Sequence, residues 1–443
     1  MQGERNGACV VALYFRGVKL RGECPPASLP GPAMKILNDP VLGFISIPHP
    51  LLLRLVDHPW FQRLRYIKQL GLSHLVYPGA LHTRLPHAIG AMHLMGLAIE
   101  SLREKGHIIT EDEALGARIA ILLHDVGHGP FSHALEHSLV EGVGHEDVSA
   151  LVMDALDREF NGALDLGIRI FRDQYPKRFL HQLVSSQLDV DRMDYLNRDS
   201  FYTGVSEGVI GGDRIIKMLQ VVGDRLVVEE KAIYSIEKFI VARRLMYWQV
   251  YLHKTVLACE QMLVQTLRRA KALGLQGVPL FGSPALLGFL RQRRDRNSFN
   301  DTAVLADFMR LDDHDIMGAV KVWAQHEDRI LARLATDLLH RTTLRIRLKR
   351  EPWDTAHVAR VREAFARQMG ITAQEAECFV LSGKVVNNAY DTAHDGIKLL
   401  FKNGQLKDIA EASDNLGVAA LGGVVEKHYL AFPRSMGKEW FEG

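Results

Sequence analysis

Apolar and polar positions alternate with helical spacing along residues 51–273, so this part of the chain is predicted to be almost entirely helical. Pro59 opens one of these helices, since proline is favoured at the first helical position, and Gly71 ends it. Pro86 opens the next helix, whose body at 88–102 is apolar nearly all round and is therefore expected to be buried. The further helices predicted here lie at 112–125, 130–141, 145–158, 176–199, 211–221 and 234–273.

Beyond about residue 275 the pattern changes to shorter helices mixed with strands, after a loop-like stretch at 274–284. The helices predicted in this part lie at 284–293, 301–310, 314–325 and 328–340. The predicted strands, with an earlier one at 225–230, lie at 344–348, 397–401, 406–409 and 425–432. An Asn403-Gly404 turn is expected to join the middle pair. We therefore predict a mainly α protein with a helical core at 34–275 and a smaller mixed α/β part at 276–443.

Composition narrows the class of protein. The chain has 443 residues, of which 47% are hydrophobic and 24% charged, as in ordinary soluble globular proteins. The net charge of +2 favours no polyanion, so any phosphate binding must come from local arginines. No apolar run approaches the roughly 20 residues that a membrane span needs. The four cysteines show no metal spacing, which indicates a reducing compartment, and we expect a cytoplasmic protein.

The first 33 residues differ from the remainder of the chain. Their one apolar stretch, at 8–15, is short and is followed by basic residues, which makes a poor signal peptide. Four prolines between Pro25 and Pro32 then interrupt any regular structure, and Met34 begins a more ordinary pattern. We expect residues 1–33 to be a disordered extension or a misassigned start.

The segment at 121–133 carries the densest chemistry. Its apolar run ends in the adjacent pair His124 and Asp125, followed by glycines and two more histidines. A neutral imidazole beside a carboxylate is a common beginning of a divalent-metal site. The alternative is a helix end with a capping aspartate and ordinary loop histidines. The density argues against that alternative, because nine of the 20 histidines fall within residues 82–145.

A second polar segment, at 189–199, places several functional groups on one helical face. At about 100° per residue, four side chains fall within one arc of the helix: Asp191, Arg192, Tyr195 and Asp199. That face offers a carboxylate of the metal-binding type, a guanidinium suited to phosphate, a phenol and a second carboxylate. The alternative is a solvated charged face with local salt bridges, such as one between Asp194 and Arg198.

A third segment lies just before a predicted helix. Arg84 stands at the helix start, where backbone N–H groups and the helix dipole also favour an anion. His87 follows in the first turn, where a core or capping histidine is the alternative to a metal ligand.

These segments together resemble the HD-domain phosphohydrolases, whose H…HD…D signature is met by His87, by His124 with Asp125, and by Asp191. The closer resemblance is to the deoxynucleoside triphosphate triphosphohydrolases, the class of dGTPase and of the SAM-and-HD-domain dNTPase, in the bacterial type without a SAM domain. It covers residues 51–254 and includes the flanking segments at 61–71, 82–84, 145–146 and 189–199.

The resemblance implies that one divalent metal, with Mn, Mg, Fe, Zn or Ni all compatible, is held by His87, His124, Asp125 and Asp191. Hydrolysis at the α-phosphorus would release a deoxynucleoside and intact triphosphate. That reaction needs an activated water, cations over the phosphates and an acid for the leaving 5′-oxygen. The residues matched to catalytic and supporting roles are His133 with Glu136, His128 and His145.

The resemblance also assigns substrate contacts. The cations matched to phosphate are Arg84, Arg192, Arg243 and Lys254. Gln69 and Asp199 match contacts to the sugar 3′-hydroxyl, and Tyr195 matches a residue near the sugar. Leu70 and Tyr251 match residues that crowd the sugar 2′ position. An apolar wall there disfavours ribonucleotides, because their extra hydroxyl finds no partner.

A nucleotide effector is a further implication. Asp57, Gln62 and Arg65 match positions that bind a guanine effector in regulated members of the family, and Arg341 and Arg345 resemble residues that meet effector phosphates. The alternative is that Asp57 and Arg65 only support helix packing. The hypothesis is a homo-oligomer, a dimer or more specifically a tetramer, gated by a guanine nucleotide or dNTP.

Two other readings of the function stay open. One is another HD phosphohydrolase, acting on nucleoside monophosphates, cyclic nucleotides or a guanosine alarmone. The other is a nucleic-acid-binding or scaffold protein with a residual metal site. A basic cluster would then meet nucleic acid, formed by Arg291, Arg293, Arg294 and Arg296. A solvated loop is the favoured explanation of that cluster.

Overall fold

A two-stranded antiparallel hairpin begins the described part of the chain, with β1 (Lys35–Asp39) paired to β2 (Gly43–Ile47). The computed structural model describes residues 35–131, 138–140, 142–387, 390–391, 396–414 and 423–442. The predicted extension at 1–33 and most of the helix predicted at 130–141 lie outside these residues, as do His133 and Glu136.

Helices dominate the chain from Pro50 to Leu275, as the sequence predicts. In chain order they are α1 (Pro50–Asp57), α2 (Pro59–Gln62), α3 (Arg84–Glu104), α4 (Glu111–Leu123), α5 (His145–Glu159), α6 (Asp165–Phe171), α7 (Arg178–Val184), α8 (Val190–Thr203), α9 (Gly212–Met218), α10 (Ile233–Met246) and α11 (Lys254–Leu275). The fold is mainly α, and the predicted class is confirmed.

The buried helix α3 is the centre of this part. Its residues are apolar on nearly all sides, and it packs against both α4 and α8. α4 begins at a capping box in which the Glu113 amide donates to Thr110 Oγ1 at 3.2 Å and the Thr110 amide donates to Glu113 Oε2 at 2.8 Å. These three helices therefore bring the motif segments at 84–87, 124–128 and 191–199 to one place.

The helix predicted from Pro59 to Gly71 is wrong beyond its first turn. α2 ends at Gln62, a 3-10 turn follows at Arg63–Tyr66, and Lys68 then pairs with Thr83 as an isolated antiparallel bridge. Gly71 has φ +48° and opens a second 3-10 turn. The local apolar spacing is compatible with a helix and with these turns. The pairing of Lys68 with the distant Thr83 favours the turns.

Two other long helices are broken where the sequence predicts continuity. The helix predicted at 176–199 is divided into α7 and α8, because Asp189 caps α8 by accepting from the Arg192 amide at 2.8 Å. The helix predicted at 234–273 is divided by a π-helical turn at Tyr247–Tyr251, after which His253 caps α11. The helix predicted at 211–221 ends at Met218 and continues as a strand.

The C-terminal part is mixed α/β, as predicted. Its helices are α12 (Pro284–Arg291), α13 (Thr302–Phe308), α14 (Asp313–Trp323), α15 (Arg329–Leu339), α16 (Thr355–Met369), α17 (Ala373–Ala376) and α18 (Ile409–Ala412). The sequence does not predict α16 or α17. The four helices expected between residues 284 and 340 are confirmed with shifts of a few residues at their ends.

Two further sheets combine strands from distant parts of the chain. The strands are β3 (Leu219–Val222), β4 (Arg225–Glu229), β5 (Arg345–Lys349), β6 (Leu381–Asn387), β7 (Lys398–Leu400), β8 (Leu406–Asp408) and β9 (Val425–Phe432). One sheet has the order β3-β4-β7-β8, with β4 and β7 parallel, and the other has the antiparallel order β5-β9-β6. The predicted hairpin is confirmed as β7 and β8, with Gly404 at φ +81° in its turn.

Two clusters of buried apolar side chains underlie this arrangement. The larger runs from Ile45 to Ala431, and the smaller lies around α16, from Ile330 to Met436. The described residues from Lys35 to Glu442 form one compact unit, in which α11 packs against both α12 and α15. The division at residue 275 stays a prediction. No helix among the described residues is long and apolar enough to cross a membrane.

Candidate metal and phosphate site

Three of the four predicted metal ligands lie together. The ligand atoms of His87 on α3, His124 at the end of α4 and Asp191 on α8 are all within 4.8 Å of one another. Asp191 Oδ1 is 3.1 Å from His87 Nε2 and 3.3 Å from His124 Nε2. The fourth residue, Asp125, is adjacent, with Oδ1 3.3 Å from His124 Nε2 and Oδ2 3.8 Å from His87 Nε2.

Backbone and carboxylate groups orient the two imidazoles. The Nδ1 atom of His124 is 2.7 Å from the Ile121 carbonyl, and that of His87 is 2.8 Å from Asp194 Oδ2. Because these partners accept hydrogen bonds, each Nδ1 is the donor and each Nε2 atom faces the carboxylates. This is the arrangement that positions histidines as metal ligands.

The donor set fits a divalent cation. The buried Nε2 atoms of His87 and His124 find no hydrogen-bond partner among the described residues. Burial alone would lower the pKa of His87, but Asp191 and Asp194 raise it to about 10. Burial is likewise outweighed at His124, whose pKa is raised to about 8 by Asp125 and Asp191. The site therefore stabilises positive charge between its carboxylates, where a metal would displace protons from the histidines.

Asp125 also belongs to a second group, with Arg84 and two more histidines. Arg84 Nη1 donates to Asp125 Oδ2 at 2.5 Å, and His128 Nε2 is 3.2 Å from Oδ1. The rings of His128 and His145 stack with centroids 3.8 Å apart. Burial and the Arg84 guanidinium lower the pKa of His128 to about 3, so this imidazole is neutral. The predicted supporting histidines thus lie beside the metal group.

The predicted sugar-contacting residues form a bonded cluster on the other end of α8. Asp199 is 1% exposed, and it accepts from Tyr251 Oη at 2.8 Å through one oxygen. Its other oxygen is 2.8 Å from His82 Nε2. Gln69 lies beside this cluster, since its backbone N–H donates to the His82 carbonyl at 3.0 Å. Its buried Oε1 has no partner among the described residues.

The predicted phosphate cations differ in their surroundings. Arg192 is ion-paired with Asp189 and is 23% exposed. Its guanidinium and that of Arg243 both interact electrostatically with the phenol of the neighbouring Tyr195. Burial raises the pKa of Tyr195 although both arginines lower it. The Nε atoms of Arg192 and Arg243 are buried and lack partners among the described residues. Lys254 is the exposed first residue of α11, and Leu70 is half-buried.

The predicted effector residues lie on the surface in two places. Gln62 accepts from Arg65 Nε at 2.6 Å, and its own amide donates to the Val56 carbonyl beside Asp57. Arg341 Nε donates to the Leu75 carbonyl at 2.7 Å. The described contacts do not connect Arg341 or the half-buried Arg345 to the group formed by Asp57, Gln62 and Arg65.

Several residues that support the site carry no signal in their local sequence. Arg63 is buried and donates to the carbonyls of His128 and Leu311, at 2.8 and 2.6 Å. Asp313 on α14 accepts from the Phe131 and Lys68 amides, both at 3.0 Å. These contacts span 65 to 248 residues of sequence, and no local pattern indicates them.

The comparisons with known proteins agree with this geometry. The HD domain family model matches residues 84–199, and the model of the HD associated region matches 210–276. The YwfO protein of Bacillus subtilis, whose function is uncharacterized, is 30% identical over 395 residues, which cover 86% of this chain and 88% of that protein. The chain therefore belongs to the HD-domain family.

Within that family, the chain is similar to a phosphohydrolase of Bacteroides thetaiotaomicron of known structure. The two are 53% identical with a TM-score of 0.88, covering 90% of this chain and all of that one. The zebrafish deoxynucleoside triphosphate triphosphohydrolase SAMHD1 is 32% identical over 282 residues, 54% of this chain and 45% of that protein. The chain thus spans less than half of that relative. Membership of the HD phosphohydrolase superfamily supports hydrolase activity.

Proposed function

We propose that this protein is a metal-dependent dNTP triphosphohydrolase, which splits a deoxynucleoside triphosphate such as dGTP into deoxynucleoside and inorganic triphosphate. The observation that carries the proposal is the arrangement along α8. Asp191 lies in the metal group, Arg192 lies one residue further, and Asp199 joins Tyr251 at the opposite end. A cation site, a phosphate site and a sugar site would then follow one another along a single helix.

The proposed reaction is an attack of water on the α-phosphorus. The new bond joins the water oxygen to phosphorus, the bond from phosphorus to the 5′-oxygen breaks, and a proton passes to that oxygen. When bound by His87, His124, Asp125 and Asp191, a divalent metal would supply a Lewis acid beside the phosphate. The matched acid is His133, which with Glu136 lies outside the described residues.

The protein's own groups supply charge and position. Arg84 and His128 both contact Asp125 of the metal group, so a guanidinium lies beside the site where negative charge on a phosphate would collect. Arg192 and Arg243 extend the positive charge toward Tyr195. Three arginines are more than a single phosphate needs, which favours a triphosphate over the monophosphate alternative.

Product analysis tests the proposal. The purified protein is incubated with each dNTP, singly and in mixtures, with Mn²⁺ or Mg²⁺, and nucleoside and inorganic triphosphate are quantified. We expect equimolar deoxynucleoside and triphosphate. Asp191→Ala should reduce the rate by about a thousandfold or more, as loss of a main catalytic group does, whereas the exposed Asp165→Ala control should keep it.

Other outcomes would contradict the proposal in distinct ways. Orthophosphate or pyrophosphate as the product would favour a different HD phosphohydrolase reaction. Unchanged hydrolysis in Asp191→Ala would mean that the assigned site is wrong. Absence of all nucleotide hydrolysis, with tight binding of nucleic acid, would favour the binding-protein alternative.

A further inference from the structure

A line of buried charged groups connects the N-terminal hairpin to His87. Asp194 Oδ2 lies 2.8 Å from His87 Nδ1, and the same carboxylate accepts two hydrogen bonds of 2.8 Å from the Arg198 guanidinium. The other side of that guanidinium donates to Asp39 on β1, at 2.8 and 3.3 Å. His87 and Arg198 are 0% exposed, Asp194 is 1% exposed and Asp39 is 8% exposed.

Each group in this line fixes the next one. Arg198 lies on α8 four residues after Asp194, so the helix itself brings the pair together. The rigid guanidinium meets both carboxylates through paired N–H groups, which restricts their orientation more than a single contact would. Asp39 comes from 159 residues away and supplies the second of these pairings. Without it, half of a buried guanidinium would be left without its acceptor.

Helix α3 leaves room for Asp194 and Arg198 at Gly90, which has no side chain. A Cβ atom at Gly90 would lie 2.2 Å from Asp194 Oδ1 and 2.4 Å from Arg198 Nη2. Gly90 follows His87 by one helical turn, so the charged pair packs directly against the backbone that carries the histidine. The pair of Asp194 and Arg198 therefore contacts the turn of α3 that carries His87, and Asp194 also contacts the His87 ring.

We propose that Asp39 is a positioning residue for the metal ligand His87, acting through Arg198 and Asp194; this rests on the metal site of the proposed function. Asp39 holds Arg198, Arg198 holds the Asp194 carboxylate, and that carboxylate keeps the His87 Nδ1–H in place. The Nε2 atom consequently faces Asp191 Oδ1, 3.1 Å away. The N-terminal hairpin thus becomes part of the metal site although it contributes no ligand.

Measurement of Mn²⁺ affinity tests this, by titration of the full-length protein with Mn²⁺ followed by electron paramagnetic resonance. We expect Asp39→Asn to weaken Mn²⁺ binding by about tenfold, the lower end of the effect of losing a direct outer partner of a metal-bound histidine. The matched control is Asp328→Asn, which breaks a similar pairing with Arg269 at 2.5 and 3.0 Å far along the chain. The Tm of Asp328→Asn should fall, as that of Asp39→Asn does, while the Mn²⁺ affinity of Asp328→Asn stays that of the unmodified protein.

A second variant covers the case in which Asp39→Asn fails to fold. Asp194→Asn keeps the shape of the side chain but offers His87 an amide, and we expect a similar loss of Mn²⁺ affinity. The proposal is overturned if Asp39→Asn or Asp194→Asn lowers Tm as the Asp328 variant does and leaves the Mn²⁺ affinity unchanged. Mn²⁺ binding is measured without substrate, so it does not depend on dNTP hydrolysis. If the variants bind Mn²⁺ more weakly but neither they nor the unmodified protein hydrolyse dNTPs, the proposed function is refuted and the role of Asp39 stands.

Discussion

Asp125 shows how much one side chain does in this site. Its two oxygens face His124, His128 and Arg84, at 3.3, 3.2 and 2.5 Å. Burial alone would raise the pKa of this carboxyl, but the neighbouring His124, His128 and Arg84 lower it well below its usual value. The carboxylate therefore stays ionised and joins the metal group to the group proposed for phosphate.

Tyr251 carries a prediction about the sugar. Its hydroxyl is fixed on Asp199, and its ring lies edge-on to Tyr195 with centroids 6.2 Å apart. If the ring excludes a 2′-hydroxyl, Tyr251→Ala should raise the ratio of GTP to dGTP turnover by about tenfold or more, since packing against one small group is worth 10- to 200-fold. The measurement is kcat/KM for both nucleotides.

The matched control for that prediction is Tyr251→Phe. This variant loses the contact with Asp199 but keeps the ring, so the ratio should stay near that of the unmodified protein. Equal ratios in all three proteins would show that the ring does not select the sugar.

At the scale of elements, the breaks between helices are as important as the helices. The division between α7 and α8 lets Asp189 cap the helix that carries Asp191. The π-helical turn at 247–251 and the cap at His253 set Tyr251 against Asp199. π-Helical turns interrupt helices at functional sites in many proteins. Continuous helices, which apolar spacing favours, would carry these side chains elsewhere.

Glu113 connects the start of α4 to α7 and gives a prediction on pH. Burial would raise its pKa, but Lys177, the Thr110 amide and Tyr175 lower it through hydrogen bonds of 2.7 to 2.8 Å. A lowered pKa means stability that is present above the unfolded value, near 4.5, and that is lost as the pH falls through the folded value. We expect Glu113→Gln to lower the free energy of unfolding by about 1–3 kcal/mol at pH 7.

Urea unfolding at a series of pH values measures this effect. The difference between Glu113→Gln and the unmodified protein should be constant above pH 5 and should shrink below about pH 4. Thr110→Ala, which removes the neutral half of the cap, should cost about 1 kcal/mol at neutral pH as cap substitutions do. A Glu113→Gln difference as large at pH 3 as at pH 7 would contradict the assignment.

At the scale of the whole molecule, the C-terminal part supports the site and is not merely attached to it. Asp313 on α14 holds the amides of Lys68 and Phe131, which precede Gln69 and follow His128. Phe131 has φ +51°, a conformation that side chains other than glycine rarely adopt and that this hydrogen bond stabilises. The loop after α4 is therefore shaped by a segment almost 200 residues away.

We predict that a nucleotide controls the assembly of this protein into a tetramer. If dGTP or GTP binds at the effector residues, multi-angle light scattering should show a mass increase to the tetramer on its addition. Arg345→Ala should reduce that change, because its guanidinium is proposed to meet effector phosphates, whereas the exposed Arg367→Ala on α16 should not. A mass that the nucleotides leave unchanged, with dNTP turnover also unchanged by them, would refute effector gating.

The helical class and the three segments that carry the chemistry could be predicted from local patterns in the chain. His87, His124 and Asp191 became candidate ligands through the resemblance to the HD-domain phosphohydrolases, which rests on residue types and spacings within those segments. The hairpin of β7 and β8 could be predicted from a local pattern, since the turn needs only Asn403 and Gly404. Even the pairing of Asp194 with Arg198 follows from a spacing of four residues on one helix.

Only the tertiary structure decided which groups hold those segments in place. Asp39 and Asp313 are separated by 159 residues from Arg198 and by 245 from Lys68, so nothing in their local sequence indicates their partners. Asp194 and Arg198 look like a solvated pair in sequence, yet burial makes them the support of His87. A buried charge needs a nearby opposite charge or hydrogen-bond partner, and only folding of distant segments against each other determines which one it finds.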